Sequence, residues 1–238
     1  MIFKIFIFVS KKGINKMKAV AVIPVKLNNE RVPGKNIKQF SDGTPLISMI
    51  QKACLNAKKV DEVYVFCSDP MICKYKLEGV KYLERPKFLD QQCVNSNDIL
   101  REFIKCVDAD IYIEAHATGP FTKSKSIDSC ITAIESGKYD SAFLVKRLQE
   151  FLWNKKNPIN FDLQHFPRSQ DIEPIYMETC GAYAFSKETF LKYDRRVGEN
   201  PYLHEVSELE SCDIDYPDDF IIADAIYSYL NKFSKEEV

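Results

Sequence analysis

The sequence lacks the features that mark several large classes of protein. No apolar run approaches the roughly 18 residues that a membrane-spanning helix needs. The 33 lysine and arginine residues are balanced by 34 acidic residues, for a net charge of −1, whereas nucleic-acid-binding domains usually carry a basic excess. Glycine (8 residues) and proline (11 residues) are scarce, which excludes collagen-like and low-complexity chains. The 238 residues therefore indicate an ordinary globular protein with no membrane or nucleic-acid partner.

The cysteines lack the spacings of metal and redox sites. None of the eight forms a C-x-x-C pair, and the three histidines lie far apart, so a zinc site is not indicated. Cys54, Cys106 and Cys130 fall on predicted helix faces, and Cys67 ends a predicted strand. We therefore expect reduced cysteines that act as small core hydrophobes in a cytoplasmic protein.

The first residues have no clear signal-peptide pattern. Residues 1–9 are apolar except for Lys4, but no clear positive region precedes the stretch and no small-residue cleavage site follows it. Met17 comes immediately before the first predicted core strand. We interpret residues 1–16 as an N-terminal extension of a domain at 17–238, and an extra edge strand is the alternative.

Strand-like and helix-like segments alternate from residue 19 to about residue 145. The predicted strands are residues 19–25, 63–67, 80–83, 111–113 and 141–145. Three helices lie between them: one opened by Thr44 and Pro45, one capped by Asn95 or Ser96, and one around residues 127–134. This alternation predicts an α/β fold, with a mostly parallel sheet and helices on both faces.

The alternation stops at residues 146–178, which we interpret as a lid or subunit-contact insertion. A strand at 182–185, a helix at 187–193 and a helix opened by Pro217 follow. Because ligands of such sheets bind at the carboxyl ends of the strands, the loops to inspect are 26–36, 67–70, 116–122 and 213–216.

The first of these loops carries Lys26, Arg31 and Lys35 directly after a buried strand. Fixed cations and loop amides at a strand end suit a triphosphate, although a solvated basic loop is the plainer alternative. The loop has neither G-x-x-x-x-G-K-[ST] nor G-x-G-x-x-G, so neither a P-loop nor a dinucleotide fold is indicated.

The last loop carries two carboxylates that are spaced to share a cation. Asp213 and Asp215 project to the same face of an extended segment, where they repel each other unless a cation lies between them. Such oxygen ligands suit Mg²⁺ that bridges to a substrate phosphate. Asp218 and Asp219 are favourable charges in the first turn of the helix that Pro217 opens.

Five ordered blocks of the chain match the motifs of a known enzyme family. They are R-V-P-G-K-N at 31–36, F-C-S-D at 66–69, E-R-P at 84–86, A-H-A-T-G-P at 115–120 and C-D-I-D-Y-P-D-D-F at 212–220. Over about residues 18–228 the chain resembles the acylneuraminate cytidylyltransferases, which make CMP-activated sialic acids. The resemblance implies a Rossmann-like nucleotidyltransferase sandwich that transfers CMP from CTP to a small acidic acceptor. It also implies a homodimer in which the 146–178 segment completes the neighbouring site.

The resemblance also implies roles for individual residues. Asp213 and Asp215 would hold Mg²⁺, while Lys26, Arg31 and Lys35 would hold the triphosphate. The implied cytidine contacts are Asn36, Arg85 and Ser96. The implied acceptor contacts are His116, Thr118, Arg168 and Gln170. His116 could act as a hydrogen-bond donor or as a base, and is counted with Lys35 and the two aspartates as catalytic.

Several positions depart from the family pattern. Lys26 stands where the family has arginine and cannot make a bidentate contact, and Asn29-Glu30 replaces Ser-Lys. His116 replaces a glutamine, and Met177 replaces an arginine typical of sialic-acid enzymes. We therefore expect an acceptor other than ordinary N-acetylneuraminic acid: Kdo, a pseudaminic- or legionaminic-type acid, or a small phosphate or phosphonate. A nucleotide-binding subunit without turnover is a further alternative, which the retained aspartate pair argues against.

Overall fold

A computed structural model describes the chain at residues 16–29 and 32–233. Arg31 and all of the N-terminal extension except Lys16 lie outside the described residues. The strands are β1 (Ala19–Val25), β2 (Glu62–Cys67), β3 (Val80–Glu84), β4 (Ile111–Ala115), β5 (Ser141–Leu148), β6 (Trp153–Asn154), β7 (Asn157–Pro158), β8 (Ile175–Ser186) and β9 (Pro201–Glu205). The α-helices are α1 (Leu46–Asn56), α2 (Ser96–Cys106), α3 (Ser124–Glu135), α4 (Lys187–Tyr193) and α5 (Pro217–Phe233). Short 3-10 helices cover Lys35–Ile37, Pro70–Tyr75, Lys87–Asp90 and Ser169–Asp171.

The described residues form one seven-stranded sheet in the order β3-β2-β1-β4-β8-β5-β9, and β6 and β7 form a small hairpin. Parallel pairing joins β3, β2, β1 and β4, and it also joins β5 to β9. Only β8 runs antiparallel to its two neighbours in this sheet. The predicted α/β architecture with a mostly parallel sheet is therefore confirmed.

The core lies on both faces of the sheet, as β1 shows. Ala21 and Ile23 belong to the cluster that includes Ile50 of α1 and Ile127 of α3. Val22 points the other way, into a cluster that contains the large rings of Phe66 and Phe103, Tyr112 and Phe185, with Phe190 of α4. Because both faces are covered by helices, a parallel strand is apolar at successive positions rather than at alternate ones.

Of the local predictions, one is wrong, one is narrowed to a single residue, and one strand was missed. Thr44 is not the cap of α1: the N-cap position is held by Pro45, and the Thr44 hydroxyl accepts a hydrogen bond from Tyr227 at 3.0 Å. At α2 the cap is Asn95, which forms a reciprocal capping box with Asp98. Strand β9 had no prediction at all, because its edge position leaves it half-exposed and without an apolar run.

Residues 146–178, which we call the arm, are more regular than the sequence suggested. Strand β5 continues to Leu148 and β8 begins at Ile175, and these ends pair with each other in antiparallel register. The aromatic rings of Phe151, Phe161 and Phe166 pack together between the strand ends. The arm is thus an extension of two sheet strands, and its tip carries an aromatic cluster.

The cysteines follow the prediction of core burial only in part, because Cys73, Cys93 and Cys106 are exposed. Cys54, Cys67 and Cys130 are buried, and the part of the chain that the structure describes contains no disulfide. Cys106 is exposed, since it is the last residue of α2 and lies beyond Phe103, where the buried side of that helix ends. In the described ranges, no helix has the length and apolar character required to cross a membrane.

Candidate active site

The loops that were predicted to bind a ligand meet at one edge of the sheet. Val25 at the end of β1 is opposite Cys67 of β2, and Cys67 is opposite Glu84 of β3. Glu114, one residue before the end of β4, is opposite Val22. The segments that follow these strands therefore leave the sheet together at its carboxyl edge, which is where open α/β sheets bind ligands.

The segment that carries the aspartate pair joins this edge through the backbone. Ile214 N–H donates to the carbonyl of Thr118 at 3.0 Å. The 116–122 loop in turn packs closely on β8, because a Cβ added at Gly119 would lie 2.8 Å from Gly181 Cα. Only residues without a side chain allow this approach. The close packing of these two glycines places the Thr118 loop between β8 and Asp213–Asp215.

Lys35 connects the first loop to the aspartate pair. Gly34, with φ of 64°, allows the turn that starts the 3-10 helix at Lys35. The Lys35 side chain is buried, its Nζ donates to the Ile214 carbonyl, and the same Nζ lies 3.6 Å from Asp215 Oδ1. The structure therefore brings together two residues predicted as catalytic, Lys35 and Asp215, although they are 180 positions apart in the chain.

The two aspartates have the properties expected of metal ligands. Asp213 Oδ1 is buried and, within the described residues, has no hydrogen-bond donor. Burial, together with the charges of Asp213 and then Asp215, raises the pKa of the Cys180 thiol to about 12 and keeps that thiol neutral. Capping of α5 falls to Asp219, whose carboxylate accepts from the backbone N–H groups of Asp215 and Tyr216. Asp219 thus fixes the backbone of Asp215 at the start of α5.

These residues fit a Mg²⁺ ion whose remaining ligands come from the substrate. Among the described residues, no group of three or more histidine, cysteine and acidic side chains gathers to form a complete metal cage. Mg²⁺ is typically held by one or two carboxylates, with water and phosphate oxygens completing the octahedron. The orphaned oxygen of Asp213, with Asp215 beside it, suits that donor set.

Other predicted nucleotide contacts line the same edge. Asn36 is buried, and its amide donates to the Lys26 carbonyl at 2.9 Å, so it braces the first loop. Arg85 is 2% exposed at the end of β3, and its guanidinium pairs with Asp90. Its Nε is buried and, as far as the described residues show, unpaired. Ser96 is the first residue of α2 and is half-buried.

The neighbours of Arg85 were missed by the sequence analysis. Asp90 accepts from Arg85 and also from the Ser68 hydroxyl, so one carboxylate links the ends of β2 and β3. The Arg85 backbone N–H donates to the Cys67 carbonyl at 3.0 Å. An acidic residue shortly after the E-R-P block was the available signal, but its partner could not be identified without the fold.

A second missed group lies beside His116. Glu114 is completely buried in β4, and Arg196 Nη1 is 2.5 Å from its Oε2. His116 Nε2 is 3.3 Å from the other carboxylate oxygen. Burial alone would raise the pKa of Glu114, but His116 and Arg196 outweigh burial and hold that pKa below its ordinary value. The visible signal was an acidic residue inside the apolar strand I-Y-I-E-A.

The arm residues are not brought to this edge by any contact that the structure gives them. Arg168 is exposed and makes two hydrogen bonds to Asp171, at 2.7 and 3.0 Å. The Gln170 carbonyl accepts from Gln149, near the other end of the arm. The predicted acceptor residues thus separate into His116 and Thr118 at the sheet edge, and Arg168 and Gln170 on the arm.

Comparison with known proteins gives consistent results over nearly the whole chain. The family model described as Cytidylyltransferase matches residues 20–237. The chain is 26% identical over 227 residues to N-acylneuraminate cytidylyltransferase A of Danio rerio, covering 91% of this chain and 52% of the relative. It is 25% identical over 225 residues to pseudaminic acid cytidylyltransferase of Campylobacter jejuni, covering 89% of this chain and 97% of the relative.

The fold matches solved structures as well. One described as CMP:2-keto-3-deoxy-manno-octonic acid synthetase complexed with CTP has a TM-score of 0.68, covering 89% of this chain and 99% of its own. Its sequence identity is 20%, so this likeness concerns the fold. The chain spans about half the length of several N-acylneuraminate cytidylyltransferases that it matches, at 52% for the fish enzyme, but nearly all of the pseudaminic acid enzyme.

Proposed function

The chain belongs to the cytidylyltransferase family, and we propose that it transfers CMP from CTP to the anomeric hydroxyl of a 2-keto sugar acid. Pyrophosphate leaves, and the CMP-sugar acid enters surface glycan synthesis in the cytoplasm. The observation that carries this proposal is the contact of Lys35 with the Ile214 carbonyl and with Asp215. A triphosphate loop and an acidic pair held together at a strand edge are the parts that nucleotidyl transfer requires.

On the nucleotide side, charge neutralisation is the main task. Lys26, Arg31 and Lys35 hold the triphosphate and stabilise the leaving pyrophosphate. Lys35 is well placed for this role because burial of its side chain limits its rotamers and directs Nζ at the aspartate segment. Asn36, Arg85 and Ser96 contact the cytidine, and the Nε of Arg85, which has no partner within the described ranges, supports a donor role there.

Asp213 and Asp215 hold Mg²⁺ in this proposal. When bound, the ion neutralises charge at the α-phosphate and lowers the pKa of the acceptor hydroxyl. The two carboxylates repel each other in the free protein, and Lys35 offsets part of that repulsion at Asp215. Lys35 therefore has two roles, since it contacts the acidic pair as well as the phosphates.

On the acceptor side, we propose that His116 and Thr118 contact a 2-keto sugar acid. The relatives named above act, by their names, on N-acylneuraminic and pseudaminic acids, and a Kdo enzyme shares the fold. All of these acceptors are 2-keto sugar acids. His116 and Met177, which stand in place of the glutamine and arginine of sialic-acid enzymes, support an acceptor other than N-acetylneuraminic acid itself.

We further propose a homodimer in which the arm of one copy completes the site of the other. Large apolar side chains on the arm support this arrangement: Trp153, Leu163 and Phe166 are 50%, 57% and 62% exposed. Arg168 and Gln170 then contact the acceptor in the neighbouring subunit. Arg168 is exposed and pairs with nearby Asp171, as expected if the acceptor that it contacts is bound in the other subunit.

The test is a pyrophosphate-release assay with CTP, UTP, ATP and GTP, each against a panel of 2-keto sugar acids and phosphonates. We expect turnover with CTP and one class of 2-keto sugar acid. CTP present at 100 times its dissociation constant should stabilise the protein by about 2.7 kcal/mol. Equal thermal protection by all four nucleotides would contradict the cytidylyl assignment. Protection by CTP without turnover on any acceptor would favour a nucleotide-binding subunit.

A further inference from the structure

Glu114 is a buried carboxylate that the proposed chemistry does not use. It lies in β4, is 0% exposed, and is surrounded by the apolar residues of that strand. Removing a carboxylate from water is costly unless charged or hydrogen-bonding partners compensate. The groups around Glu114 therefore indicate why this position holds an acid.

One oxygen of Glu114 is fully committed to a structural ion pair. Arg196 Nη1 contacts Oε2, and the guanidinium lies 3.5 Å from the centre of the Tyr183 ring. The Arg196 backbone N–H donates to the side chain of Asn97 in α2 at 3.2 Å. Arg196 is thus held from two sides, and it fixes the position of the carboxylate.

The second oxygen of Glu114 faces His116 and, among the described residues, no other charged partner. Glu114 Oε1 and His116 Nε2 are both buried and lie 3.3 Å apart, and neither atom has a hydrogen-bond partner in the described part of the chain. A neutral imidazole has one nitrogen that donates and one that accepts, whereas a carboxylate oxygen only accepts. The arrangement therefore favours the tautomer in which Nε2 carries the proton.

We propose that Glu114 is a positioning residue for the acceptor site, because its Oε1 keeps the His116 proton on Nε2 and leaves Nδ1 as the proton acceptor. This inference rests on the proposed function. In the step that it serves, the acceptor hydroxyl gives its proton to Nδ1 while its oxygen bonds to the α-phosphorus of CTP. The bond from that phosphorus to pyrophosphate breaks at the same time, so atoms and charge balance.

The charged and titratable groups on every packed element agree with this role. Arg196, from the segment after α4, balances the charge of Glu114. Tyr183 of β8 lies under the guanidinium and donates to Glu178 at 2.9 Å, so its hydroxyl does not compete for Glu114. Nε2 is buried while His116 keeps a side-chain exposure of 23%, so part of the ring remains accessible to a substrate.

The first test needs no activity. The chain has three histidines, so the imidazole nitrogen spectrum of ¹⁵N-histidine-labelled protein is simple, and His116→Gln identifies the His116 signals. We expect the Nε2–H tautomer for His116 in the wild type and a mixed population in Glu114→Leu/Arg196→Met. That double variant replaces a buried ion pair by apolar side chains, a change that proteins often tolerate. A wild-type Nδ1–H tautomer, or an unchanged spectrum in the double variant, overturns the inference.

The second test is kinetic and uses matched substitutions. Glu114→Gln should lower kcat with the acceptor about 10- to 100-fold, in the range of general base catalysis, with KM for CTP unchanged within about twofold. Glu62→Gln, the same change in a carboxylate at the start of β2 that accepts from the Tyr64 hydroxyl at 2.8 Å, should leave kcat within about twofold of wild type.

A double-mutant cycle that combines Glu114→Gln with His116→Gln separates a positioning role of Glu114 from a structural one. Because glutamine has no tautomer to select, Glu114→Gln should cost less than about threefold in that background. Equal losses in both backgrounds would make Glu114 merely structural and would overturn the inference. Should Glu114→Gln fail to fold, the double variant replaces it in the same cycle. Absence of turnover in the wild type would count against the proposed function, while the tautomer measurement would still decide the role of Glu114.

Discussion

The carboxyl edge of the sheet and the arm hold their predicted functional residues in opposite ways. At the edge, buried Lys35 contacts Ile214 and Asp215 across a separation of about 180 positions in the chain. On the arm, Arg168 is exposed and pairs with Asp171, three positions away. The first contact exists only in the folded protein, whereas the second joins residues that are close enough in the chain to meet within one helical turn.

This difference indicates which part of the site is formed within one copy of the chain. A buried long-range contact positions its residues before a ligand arrives, which favours catalysis. An exposed ion pair contributes about 0 to 1 kcal/mol and constrains its arginine little. In our proposal, one subunit therefore supplies the nucleotide side, and the arm of a second copy completes the acceptor side.

The largest expected effect comes from Asp215→Asn at the edge. The change keeps the shape of the side chain but removes an anionic metal ligand, so pyrophosphate release should fall at least about 100-fold, or about 2.7 kcal/mol of barrier. The melting temperature should stay within about 3 °C, because the pair with Lys35 is partly exposed. Asp218→Asn, at an exposed neighbouring carboxylate, is the control. Near-wild-type turnover in Asp215→Asn, at saturating CTP and Mg²⁺, would remove the metal site.

Lys35→Met should have the next largest effect. It removes the buried cation between the two loops, so we expect kcat/KM for CTP to fall about 10- to 100-fold. Lys38→Met, at an exposed lysine three positions on whose ammonium lies 4.1 Å from the centre of the Phe220 ring, should change it less than about twofold. Similar losses for both lysines would indicate a general electrostatic effect and would contradict a specific role for the buried contact of Lys35 at the edge.

Arg168→Ala tests the arm, where we expect about a 5- to 10-fold loss in kcat/KM for the acceptor and no change in KM for CTP. Mixing Arg168→Ala subunits with inactive Asp215→Asn subunits then shows whether the arm acts in its own site or in the site of the other subunit. If the arm completes the partner's site, one intact site forms in half of the dimers, and about one quarter of wild-type activity returns. If mixing restores no activity beyond that of the Arg168→Ala subunits, the arm does not act across subunits.

The smallest effect should follow removal of residues 1–16. Strand β1 begins at Ala19, and the Lys16 contact with Asp61 is an exposed pair of little energetic weight. We expect unchanged turnover and a melting temperature within about 2 °C of the full chain. A larger loss of stability would show that the N-terminal residues pair with the sheet.

Much of the parallel part of the fold was predictable because its signals are local. Strands β1 to β4 are short apolar runs, and α1 to α3 carry apolar stripes at helical spacing, so each element is visible within its own window. The direction of β8 is not a local property, since Ala182–Phe185 is equally apolar in either orientation. Edge strand β9 has no apolar run, so its pairing with β5 could only be seen in three dimensions.

The candidate site likewise has a part that the sequence predicts and a part that only the tertiary structure shows. The sequence by itself determined the residue types that triphosphate and metal chemistry need, because Lys35, Asp213 and Asp215 stand in recognisable local motifs. The tertiary structure alone decided which of them meet, and it placed Glu114 between His116 and Arg196, which comes from a segment 82 positions away. The physical reason is that the role and the energetic cost of a buried charge depend on the groups that it pairs with. Pairing across such distances is set by strand order and register rather than by any neighbouring residue.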